Sequence, residues 1–65
     1  VSAELTEDRK RWATAVSALV RHLMAAGYSG VALGDRIRAA KDKTTEEVEA
    51  LAAVARSEAE EAQSP

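Results

Sequence analysis

Sixty-five residues limit this chain to one small domain, too short to bury more than a modest core. It has no cysteine and one histidine, which excludes a disulfide staple and argues against a structural zinc site. The net charge of −2 hides a split: Arg9, Lys10, Arg11, Arg21, Arg36, Arg38, Lys41 and Lys43 face only Asp35 and Asp42 in their stretch, whereas Glu46, Glu47, Glu49, Glu58, Glu60 and Glu61 follow with Arg56 alone. Such a basic middle would meet nucleic acid, an acidic surface or the chain's own acidic end. The internal pairing needs no partner and is the expected one.

The first helix is predicted over residues 6–26, with Thr6 as its cap and Glu7 and Asp8 in the first turn, where the helix dipole favours acids. A start at Ser2 is the alternative. Trp12, Val16, Leu19, Val20, Leu23 and Met24 recur at spacings of three and four, the mark of one apolar face. Lys10, Thr14, Ser17 and Arg21 fall on the opposite face. Glu7 and Asp8 are spaced to pair with Arg11 on the same helix. Gly27 can close the helix in the left-handed conformation, which would bring Tyr28 back against Leu23 in a Schellman cap.

Ser29 is placed to cap a second helix whose buried stripe is Leu33, Ile37 and Ala40. Gly30 and Gly34 weaken that helix by roughly 1 kcal/mol each relative to alanine. Their spacing of four puts both on one face, where another helix could approach closely; the alternative is a frayed start that tolerates glycine.

Thr44-Thr45-Glu46-Glu47 is a capping box, followed by Val48, Leu51, Ala52, Ala55, Ala59 and Ala62 at helical spacing. A third helix is predicted from Thr45 to Ala62. Its second half carries only alanine inward, so it is expected to run past the core as a solvated tail, with residues 63–65 disordered. The expected fold is all-α: a single domain over 1–62 with a long helix 1, a short helix 2 and an Ala/Glu-rich helix 3, open to completion by a second copy.

The residues offer little chemistry. His22 has Ala18, Leu19, Ala25 and Ala26 at helical neighbour positions, and no carboxylate to orient it as a base. The glutamate clusters lack both the glycine-bearing loop of a calcium site and the Glu-x-x-His pair of a helical metal site. Gly27-Tyr28-Ser29-Gly30 precedes a helix, yet no phosphate-loop lysine follows. Trp12 follows Arg9-Lys10-Arg11 but shares the stripe of Val16 and Leu19, which favours a core or interface role over a lipid anchor. No apolar run approaches the ~20 residues of a membrane span. The chain is therefore expected to have no catalytic residues, cofactor, metal or small-molecule substrate. The acidic, polar start is unlike a signal peptide, so a cytoplasmic location is expected, and the Ala/Arg/Val/Glu-rich composition suggests a bacterial source.

Two functions remain. One is a protein–protein interaction or oligomerisation module, a small regulatory or accessory protein, with Trp12, Val16, Leu19, Leu23, Val48, Leu51 and Val54 as its interface. The partner would be a second copy or another protein. The other is a DNA-binding regulator: helix, glycine turn, helix outlines a helix-turn-helix, and Arg36, Arg38, Lys41 and Lys43 would contact bases and phosphates. An acidic whole-chain charge and the absence of Asn or Gln in helix 2 count against the second.

Overall fold

The computed structural model describes the backbone of residues 2–64 and the side chains of residues 6–64. The chain is all-helical: α1 (Ser2–Ala25), α2 (Gly30–Lys41) and α3 (Thr45–Gln63). α1 begins four residues ahead of Thr6. Ala3, Glu4 and Leu5 are all strong helix formers, so the helix runs through Thr6 instead of starting on it. It closes as its glycine requires. Gly27 sits at φ +103°, the Tyr28 N–H donates to the Leu23 carbonyl at 3.0 Å and the Gly27 N–H to the Met24 carbonyl at 3.1 Å. Those two bonds are the Schellman pair.

α2 starts less firmly. Ser29 occupies the cap position with extended backbone, but its hydroxyl makes no capping hydrogen bond, and the first turn carries no acid. The next residue, Gly30, enters the helix at φ +59°. Gly30 and Gly34 do not mediate a close helix approach. A Cβ at Gly30 would meet nothing within 4 Å, and one at Gly34 would meet only the Arg38 guanidinium at 3.9 Å. The reason is placement: α2 scarcely touches α3 and packs on α1 instead.

α3 has the cap written in its sequence. The Glu47 N–H donates to the Thr44 hydroxyl at 3.2 Å, and the Thr44 N–H and hydroxyl donate to the Glu47 carboxylate at 3.3 and 3.1 Å. Glu46 and Glu47 lie in the first turn, at the positive end of the dipole. The helix reaches Gln63, and Ser64 bonds back to Glu60 and Glu61. The helix therefore takes in Gln63, one residue past the expected end of α3; Pro65 lies outside the described residues. Ala59 is buried, which shortens the expected solvated tail, while Ala62 is exposed.

Cross-links fix the path of the chain. Arg11 reaches Glu49, Trp12 reaches Lys43 and Tyr28 reaches Glu58. Arg11 meets Glu49 early in α3 and Tyr28 meets Glu58 nearer its end, so α1 and α3 run parallel and α2 is the antiparallel return between them. Most interhelical contact is between α1 and α3. The core is Ala15, Leu19 and Leu23 of α1, Ala40 of α2, and Val48, Ala52 and Ala55 of α3. Trp12, Val16, Ala18, Tyr28, Leu33 and Leu51 pack around it, partly buried. The radius of gyration is 12.8 Å and the extents are 48 × 23 × 14 Å, whereas compact packing at this length would give about 11 Å. The unit is therefore elongated and flattened.

Three substitutions follow from this arrangement. Leu19→Ala should cost about 2–5 kcal/mol in urea unfolding, a large share of what a chain this size possesses. Gly34→Ala should raise stability by roughly 0.5–1 kcal/mol, since its helical backbone and open surroundings accept a methyl group. Thr44→Ala should cost about 1 kcal/mol. It should also flatten the acid limb of the stability curve. The Thr44 backbone N–H, and then its hydroxyl, hold the Glu47 carboxylate below its ordinary value of 4.5. A depressed carboxylate stabilises the fold above that ordinary value and loses its contribution as pH falls through the lowered one. Urea midpoints measured from neutral pH downward check both effects.

Candidate functional site

The seven apolar residues expected at an interface are divided by the fold. Leu19, Leu23 and Val48 are buried in the chain's own core, and Trp12, Val16 and Leu51 pack against it. Val54 stays 57% exposed. The α1 seam is thus occupied by α3 of the same chain. Met24 and Val31 are also exposed, but they lie off the surface described next.

Because α2 and α3 both lean on α1 and hardly meet, a groove lies between them. Its volume is about 170 Å³, comparable to an apolar cavity that accepts a benzene ring. Leu19 and Leu23 line it from α1. Arg36, Ala39 and Lys43 form the α2 bank, and Leu51, Val54, Ala55 and Glu58 the α3 bank. Positions 36 and 39 on α2, and 51, 54 and 58 on α3, are three or four residues apart, so each set shares a helix face, while Lys43 lies in the turn after α2.

Charged groups stand at both ends of this groove. At one end the Tyr28 hydroxyl donates to the Glu58 carboxylate at 2.9 Å, while the Arg36 guanidinium lies 4.9 Å from the centre of the Tyr28 ring. This is an ordinary cation–π distance. One tyrosine thereby joins a basic residue of α2 to an acidic residue of α3. Its hydroxyl is held above the ordinary phenol range, first by the bond to Glu58 and then by desolvation, with Arg36 opposing. At the other end Lys43 stands in the turn between α2 and α3. Trp12 anchors the same end from behind, its indole N–H donating to the Lys43 carbonyl at 3.1 Å.

Arg11 does not use Glu7 or Asp8 as its hydrogen-bond partner. Its fork meets both oxygens of Glu49 on α3, at 2.9 and 3.2 Å. The guanidinium is held above its usual value chiefly by that bond. The expected meeting of basic middle and acidic end is realised here and, through Tyr28, at Arg36 and Glu58. Both links are between exposed or partly exposed groups, so they fix register more than they add stability.

The four basic residues of the DNA reading do not share a face. Arg38 and Lys41 are three apart and lie on one flank of α2, with Arg38 paired to Asp35 at 2.6 Å. Arg36 lines the groove from the other flank, and Lys43 lines it from the turn past the end of α2. His22 is partly buried on α1. Among the described residues, no cluster of three His, Asp or Glu side chains is placed to hold a metal ion, and no helix is long and apolar enough to cross a membrane.

Sequence reasoning missed Ala39 and Glu58 as lining residues, and the linking role of Tyr28. A signal existed for the first two, since each falls at helical spacing beside a residue already singled out. Tyr28 carried none, because its partners are set by how α2 folds back. Comparison with models of known families, with characterised proteins and with solved structures gives no match.

Tyr28 is the sole tyrosine, so ultraviolet absorbance of the phenolate isolates its titration. Its midpoint should lie above the ordinary value of 10.0 and fall back in Glu58→Ala. A raised value means the folded chain holds the phenolic proton more tightly than the unfolded chain. The Tyr28 contribution to stability should therefore be complete below pH 10.0 and disappear as pH rises through the folded value.

Proposed function

We propose that this chain is a non-enzymatic helical module for protein–protein contact or oligomerisation, serving as a small regulatory or accessory protein. One observation carries the reading: Val54 stands exposed on the bank of an apolar groove that the chain leaves open between α2 and α3. An apolar side chain beside an unfilled apolar groove is the local anatomy of a contact surface, with an anchor and a receiving pocket side by side. The acids and bases nearby have structural employment. Glu47 completes a cap, Glu49 holds Arg11, and Glu58 holds Tyr28. That pattern supports a scaffold more than a reaction centre. The DNA-binding alternative has weaker support, because its four basic residues are split between two flanks of α2 and the turn that follows it. A cytoplasmic, bacterial setting belongs to the same proposal and rests on composition alone.

Immobilised wild-type chain and its Val54→Asp variant, exposed to extract of the source cell under mild cross-linking, test the reading. The wild type should retain a defined protein species, either itself or another, that the variant loses. Circular dichroism should show the same helix content in both. A wild-type chain that retains nothing and sediments as a monomer would overturn it.

A further inference from the structure

We propose that the α2–α3 groove seats a second copy of this chain, related by a two-fold axis that runs along the groove. The inference rests on the interaction reading above and names its partner. The argument is charge complementarity across one face. The α2 side carries Arg36 and, in the turn just past the helix, Lys43, and the α3 bank carries Glu58. Two copies brought face to face have two simple in-plane axes. An axis across the helices would set α2 on α2 and α3 on α3, opposing like charges. An axis along the helices sets the α2 of one copy on the α3 of the other, opposing unlike charges on both sides at once. Juxtaposed like charges are penalised and unlike charges fix register, so the second arrangement is selected.

Heights along the groove agree with that choice. Arg36 and Glu58 share one level through Tyr28. A two-fold axis along the groove preserves level. Arg36 of one copy therefore faces Glu58 of the other. One turn toward the opposite end stand Ala39 on α2 and Val54 on α3. The exposed valine of each copy meets the small residue of its partner, and both enter space of about 170 Å³, enough for one or two aliphatic side chains. The contact is isologous: each subunit offers the same anchor and the same recess.

The chain's lack of cysteine makes the register directly testable. The variants Val54→Cys and Ala39→Cys are mixed and oxidised, and the wild type and Val54→Asp are compared by sedimentation equilibrium at micromolar concentration. The expected result is a wild-type dimer, a Val54→Asp monomer of unchanged helicity, and a mixed 54–39 disulfide that outnumbers both symmetric bridges. A monomeric wild type, a dimer indifferent to Val54→Asp, or a predominant 54–54 bridge would each overturn the proposal. If the wild type is monomeric but still captures another protein in a Val54-dependent way, the second copy is excluded while the interaction reading stands.

Discussion

The parallel contact between α1 and α3 is the constraint on which the rest depends, and alanine makes it. Ala15 on one helix and Ala52 and Ala55 on the other are buried. Small side chains at a helix contact let the axes approach closely. The same choice limits what burial can contribute, since an alanine removes little area from water. Among the described residues, Leu19, Leu23 and Val48 are the only larger side chains in the buried core. A close but thin core of this kind cannot also fill the space between α2 and α3, and the groove is the result.

Apolar burial is non-directional, so register along two parallel helices has to come from elsewhere. Polar links spaced along the pair provide it. The Arg11 fork on Glu49 and the Trp12 indole on the Lys43 carbonyl hold one end, and the Tyr28 hydroxyl on Glu58 holds the other. None is deeply buried. Their role is geometric, because a slip of one helical turn would break all three together. The local stops at Gly27 and Thr44 act in the same sense by setting where each helix ends and begins.

What could be read in the sequence was local. The Schellman stop at Gly27 and the box of Thr44 and Glu47 depend on residues within five positions of one another, and both form as their spacing implies. The all-α class and three helices followed from the same periodicity. Arg11 shows where that reasoning stops: nearby acids offered themselves as partners, but the one used lies 38 residues away. The apolar seam of α1 was visible, but whether α3 of the same chain or another chain would cover it was not. Gly30 and Gly34 suggested a close helix approach that fails because α2 faces α1 rather than α3. Of the candidate site, Val54 could be named from its spacing. Its exposure depends on the angle at which α2 returns, and no local pattern encodes that angle.

The entry to α2 carries a consequence for motion. Ser29 leaves the first turn without a side-chain cap, and the helix holds α1 through few contacts and α3 through fewer. Segments with little burial and exposed backbone bonds open at a free energy below that of global unfolding. α2 should therefore open before the α1–α3 pair, and such an excursion would move one wall of the groove while the other wall and the floor stay in place.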